Sequence, residues 1–143
     1  MRVQQLFDLS GRGVTFFVTT HYMDEAERCS HVGYIYYAKM IVAGTPGELK
    51  QMPEVSPEGT ERFEVRCDRL PAAMIRLSAF EYVRDATIFG DSVHVLIEKS
   101  SDARLAKDLA SEGFGQPVVS RIPPTLEDVF VTLTRARDRA NHV

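Results

Sequence analysis

The feature that most constrains the fold is the succession of hydrophobic periods between Glu61 and Ile122. Glu61 to Cys67 alternates strictly, with Phe63, Val65 and Cys67 on one face and Arg62, Glu64 and Arg66 on the other, as a half-solvated strand requires. Pro71 to Phe80 changes to helical spacing, with Ala73, Met74 and Leu77 inward. Tyr82 to Phe89 returns to strand character, Gly90-Asp91 makes a tight turn, and Val93, Val95 and Ile97 form the inner face of the returning strand. His94 alternates with these valines and belongs to the outer face. Ser101 caps a helix that buries Leu105, Ala106 and Leu109 and ends at Gly113, and Gln116 to Ile122 supplies a fourth strand.

That order, β-α-β-β-α-β, is the split βαβ or ferredoxin-like arrangement. A final helix follows. Pro123-Pro124 introduces it, Thr125 and Asp128 make a capping box, and Leu126, Val129, Phe130, Leu133 and Ala136 line one face. Arg135, Arg137 and Arg139 suit the negative end of its dipole. Residues 61–143 are therefore expected to form one α+β domain. Before it, residues 53–60 are polar and rich in Pro and Gly, as a linker would be.

Residues 1–52 read differently. Val3, Leu6, Phe7 and Ser10 fall on one helical face, and Gly11 is a natural C-cap. Val14 to Thr19 is a near-continuous apolar and β-branched run, the pattern of a strand buried on both faces. It delivers Thr20 and His21 to its C-terminal end, where open α/β sheets build ligand sites. Tyr22 to Cys29 is expected as a short helix whose opening carries Asp24 and Glu25, with Glu27 just after; these acids suit the positive helix end. Val32–Tyr37 and Met40–Ala43 read as a hairpin joined by Ala38-Lys39. Thr45, Pro46 and Glu48 then form a second capping box.

Composition excludes several classes. Hydrophobic content of 44% with 26% charged residues is that of a globular domain. A formal net charge of -3 lacks the basic excess of a nucleic-acid binder. No apolar run approaches the roughly 18–20 residues of a membrane span. Cys29 and Cys67 are the only cysteines and give no disulfide framework, which fits a reducing cytosol.

Several segments, in order, resemble one family. Thr19-Thr20-His21-Tyr22-Met23-Asp24-Glu25-Ala26-Glu27 resembles the T-T-H-x-M-x-E-A-E switch-histidine segment of ABC transporter ATP-binding subunits. Val32-Gly33-Tyr34-Ile35-Tyr36-Tyr37 matches the hydrophobic strand that follows in that family. Gly44-Thr45-Pro46-Gly47-Glu48-Leu49 is similar to its G-T-P-x-E-L, and Pro124-Thr125-Leu126-Glu127-Asp128-Val129-Phe130 to the P-S/T-L-E-D-V-F of a drug- and antibiotic-efflux branch with a small C-terminal domain. The resemblance implies that His21 is the switch histidine, the candidate catalytic residue, contacting the γ-phosphate of ATP. It implies a cytoplasmic subunit at the inner face of the cell membrane, partnered by a transmembrane permease.

The sequence holds no G-x-x-x-x-G-K-[ST] and no Gly-Lys pair, so the P-loop that would hold ATP and Mg²⁺ is missing. The Walker B carboxylates, Q-loop and signature are missing too; Leu9-Ser10-Gly11-Arg12-Gly13 reads as a helix cap and turn. The expectation is an α/β remnant of the ATPase core over residues 1–52, followed by the ferredoxin-like accessory domain. Such a chain would bind no cofactor and no metal by itself and would lack ATPase activity. In the family's sheet the strands matching Val14–Thr19 and Val32–Tyr37 flank the P-loop strand, so here they are expected to pair directly or to be completed in a swapped homodimer.

A different class stays open: a free-standing ferredoxin-like module that senses a ligand or homodimerises. Cys29 and His31 with His21 lack the four-ligand spacing of a structural zinc site, and no serine has a G-x-S-x-G context.

Overall fold

The computed structural model describes residues 3–142, and the side chain of Val3, read above as part of an apolar face, lies outside it. The described residues form an α+β structure with two antiparallel sheets. The chain divides into two compact units, Ser56–Pro124 and the combination of Met1–Val55 with Thr125–Val143.

The first unit opens with α1 (Val3–Ser10) and α2 (Met23–Ala26), followed by strands β1 (Val32–Tyr36) and β2 (Lys39–Gly44) and by α3 (Pro46–Lys50). Gly11 donates its N–H to the Phe7 carbonyl, closing α1 as expected of its cap. β1 and β2 form a two-stranded antiparallel sheet from Val32↔Gly44 to Tyr36↔Lys39, with an irregularity at Tyr34/Ile35. The loop is Tyr37-Ala38, one residue earlier than expected, and both residues have positive φ, 48° and 58°. Two left-handed residues in a two-residue loop match the right-handed twist of the flanking strands.

The expected strand Val14–Thr19 does not form. The segment has no regular structure; Phe17 is fully exposed, and Val14, Phe16 and Val18 are also open to solvent. A strand exists only through its ladder, and an apolar run cannot supply its own partner. β1 pairs with β2 rather than with this run, so direct pairing of the two expected strands is not found. The helix expected over 22–29 shortens to the four residues of α2, with turns continuing to Cys29.

The last helix, α6 (Leu126–Asn141), completes this unit, although its sequence position suggested the C-terminal domain. Leu126 and Val129 are buried with Ala26, Tyr34, Leu49 and Val55, and Phe130 and Leu133 pack against them. Ala136, expected on the same face, is exposed. Val55, in the segment read as a linker, is wholly buried.

The second unit contains β3 (Thr60–Arg66), α4 (Leu70–Ala79), β4 (Val83–Phe89), β5 (Ser92–Glu98), α5 (Asp102–Ser111) and β6 (Val118–Arg121). Its sheet order, β4-β5-β3-β6, is the one a split βαβ pair generates, with each crossover leaving room for an antiparallel strand between its ends. Phe63 and Val65 of β3 and Val93, Val95 and Ile97 of β5 face Ala73, Leu77, Leu105 and Leu109 in one core. Gly90, at φ 60°, makes the β4–β5 turn with Asp91. His94 shares the outer face with Glu64 and Thr87, its cross-strand partners, yet is buried and edge-on to Phe89. A central strand is screened on both faces by its neighbours' side chains, which alternation alone does not reveal.

Leu105 and Leu126 are each wholly buried in one of the two cores. Leu105→Ala and Leu126→Ala should each lower unfolding free energy by about 2–5 kcal/mol in urea titrations, whereas truncating exposed Ile75 should change it little.

Candidate functional site: the His21 segment and the helix starts beside it

His21 sits at the end of the irregular Val14–Thr20 segment, immediately before α2, and is exposed. Its ring lies against that of Tyr22, centroids 4.3 Å apart and planes inclined by 35°. Thr20 organises the turn. Its hydroxyl donates to Glu25 Oε2 at 2.6 Å and its Oγ1 accepts the Tyr22 N–H at 3.0 Å. Thr20 thus takes the role of a turn-forming hydroxyl, while Tyr22, the residue at the cap position of α2, makes no side-chain cap.

The acids following His21 have separate duties. Asp24 and Glu25 occupy the first turn of α2, as the sequence suggested. Glu27 faces two other helices instead: it pairs with Lys50 at 2.6 Å and accepts the Leu126 N–H at 3.3 Å.

The two capping boxes are present as expected. In α3 the Thr45 N–H reaches Glu48 Oε2 at 2.9 Å and the Glu48 N–H reaches Thr45 Oγ1 at 3.2 Å. In α6 the Thr125 N–H reaches Asp128 Oδ2 at 2.8 Å and the Asp128 N–H returns to Thr125 Oγ1 at 3.2 Å. Each motif is therefore, physically, a helix start followed by a buried anchor, Leu49 in one and Leu126 with Val129 in the other.

Tyr34 joins them. It is 5% exposed, and its hydroxyl donates to the Leu126 carbonyl at 2.8 Å, with Met23 Sδ 3.4 Å away. Burial raises the Tyr34 phenol well above its ordinary value, and the Glu27 and Glu127 carboxylates add to the rise, so it is a permanent donor at physiological pH. The sequence marked the strand containing Tyr34 but not its role. The only signal was a polar hydroxyl within an apolar run, which needs a partner when buried.

Chemically, an exposed imidazole beside a turn can donate a hydrogen bond to a phosphate oxygen or orient a water. The groups around it do not cradle a triphosphate. The amides opening α2 belong to a four-residue helix whose first turn carries Asp24 and Glu25, and carboxylates there oppose an anion. Among the described residues no group of three or more His, Cys, Asp or Glu could hold a metal ion, Cys29 and His31 included. No described helix is long and apolar enough to cross a membrane.

No protein-family model and no solved structure matches the chain. Curated proteins do match. The chain is similar to ATP-binding proteins of transport systems. It is 32% identical over 136 residues, 92% of its length, to the Nod factor export ATP-binding protein I of Burkholderia orbicola, and 31% identical over 132 residues, again 92%, to that of Cupriavidus metallidurans. A 39-residue stretch, 27% of the chain, is 56% identical to the "Probable multidrug ABC transporter ATP-binding protein YbhF" of Escherichia coli, covering 7% of that protein. The chain spans 40% of the length of the two Nod factor export proteins.

The Glu48 carboxyl is held below its ordinary value of 4.5, first by the Thr45 backbone N–H and then by the Thr45 side chain. A carboxyl lowered by folding stabilises the folded chain above its unfolded value, and the gain is lost as pH falls through the folded value. Glu48→Gln should therefore be less stable at neutral pH and show a shallower loss of stability below pH 4.5, read by acid titration of helical circular dichroism.

Proposed function

We propose that this chain is the switch-histidine segment and C-terminal accessory domain of the ATP-binding subunit of an ABC-type multidrug or antibiotic exporter. The observation that carries the reading is the meeting of the resembling segments in one core. Ala26 of the His21 segment, Tyr34, Leu49 after the first capping box, and Leu126 and Val129 after the second are buried together. The similarity to export ATP-binding proteins over 92% of the chain supports the same assignment.

In this reading His21 contacts the γ-phosphate of ATP in the complete subunit and senses its hydrolysis. ATP and Mg²⁺ are held there by residues this sequence lacks, so the chain alone neither retains the nucleotide nor hydrolyses it. Residues 1–52, closed by α6, are the remnant of the nucleotide-binding domain, and the unit Ser56–Pro124 is a ferredoxin-like accessory domain with a regulatory or dimerising role. The complete subunit works in the cytoplasm against the inner face of the membrane, on a transmembrane permease. The exposed apolar run Val14, Phe16, Phe17 and Val18 supports a homodimer completed through this segment, since an uncovered apolar run promotes association.

Calorimetry of the isolated chain should show no heat with millimolar Mg-ATP, and tight binding would overturn the fragment reading. In the complete subunit His21→Ala should abolish ATP-driven transport while leaving the isolated chain's stability nearly unchanged. Light scattering should find a dimer that Phe17→Asp dissociates; a monomer with freely exchanging Val14–Thr19 amides counts against the dimer.

A further inference from the structure

His21 is anchored indirectly. The segment before it, Val14–Thr20, has no regular structure, and the helix after it, α2, has four residues, far fewer than a helix needs to hold itself in water. Beyond the Thr20 turn, what fixes His21 must therefore come from contacts that dock α2. Ala26 and Met23 provide the apolar ones, Ala26 buried in the core with Leu126 and Val129 and Met23 packed against it. Glu27 provides the polar one. Its Oε1 accepts the N–H of Leu126, the first residue of α6, at 3.3 Å, and its Oε2 pairs with Lys50, the last residue of α3, at 2.6 Å. The α6 cap leaves the Leu126 N–H to be satisfied from outside the helix, since Thr125 and Asp128 serve each other. A carboxylate at the start of a sixteen-residue helix also meets the favourable end of its dipole.

We propose that Glu27 is the positioning residue for His21. By tying the end of α2 to the start of α6 and the end of α3, it makes the location of the imidazole and the docking of α6 a single equilibrium. The inference rests on the reading of His21 as the phosphate-sensing residue of the complete subunit. Glu27 itself touches no phosphate in this scheme; it acts through α2. A lost or displaced α6 start would shift His21, and a phosphate held by His21 would in turn favour the docked helix.

The test compares Glu27→Ala, Glu27→Gln and His21→Ala in the complete subunit. Glu27→Ala should lower kcat for ATP hydrolysis roughly tenfold with KM for ATP nearly unchanged, because a misplaced group costs turnover rather than nucleotide binding. Glu27→Gln keeps an acceptor oxygen for Leu126 and should recover most of that loss. In the isolated chain, Glu27→Ala should speed hydrogen exchange at the Leu126 amide roughly tenfold by removing its acceptor. Wild-type turnover in Glu27→Ala, where His21→Ala is inactive, overturns the positioning role alone. Wild-type turnover in His21→Ala overturns the underlying reading as well. Unchanged exchange at Leu126 overturns the tie itself.

Discussion

The first unit depends on how the start of α6 is satisfied. A helix begins with amides that have no partner within it, and a buried beginning must find them elsewhere. Here Thr125 and Asp128 answer one another, Glu27 takes the Leu126 N–H, and Tyr34 caps the Leu126 carbonyl with its hydroxyl. With these groups matched, Leu126 and Val129 enter the core at a lower cost in unsatisfied backbone. The same residues that close the hydrogen-bond account therefore select which segments come together: α2 through Glu27, the hairpin through Tyr34, and α3 through Lys50 and Leu49.

This arrangement gives the His21 segment an unusual division of labour. The acids that follow the histidine look alike in sequence, but Asp24 and Glu25 serve their own short helix and turn, while Glu27 serves two other helices. His21 itself is left exposed, its ring tilted against that of Tyr22. Carboxylates at the start of α2 make the same place unsuitable for holding an anion unaided. The second unit stands on different physics. A four-stranded sheet whose inner valines, isoleucine and phenylalanine meet two amphipathic helices draws its stability from ordinary apolar burial.

Much of the fold was legible from local pattern. The order β-α-β-β-α-β followed from alternation and helical spacing, because each strand and helix in that region carries its own period and its own turn signal. Both capping boxes were legible because Thr and an acid three residues apart act within one turn. His21 was legible only as a candidate: a lone imidazole after an apolar run marks a place, while its neighbours in space are set by contacts across the chain. Glu27 and Tyr34 were missed as partners of α6 because they lie 99 and 92 residues from Leu126.

The sequence by itself determined the elements whose causes are local: the helix starts at Thr45 and Thr125, the alternating strands around Val65 and Val95, and the turn at Gly90. Tertiary structure decided the elements that need a distant partner. Val14–Thr19 has strand composition yet no regular structure, because β pairing is a property of two segments and its own chain offers it none among the described residues. α6 joins the N-terminal unit rather than the domain it follows, since its apolar face is matched by Ala26, Tyr34 and Leu49. His94 has the alternation of a solvated position and is nevertheless buried, because a central strand is screened from both sides. Composition and period fix what a segment can become; the availability of a complementary surface fixes whether it does.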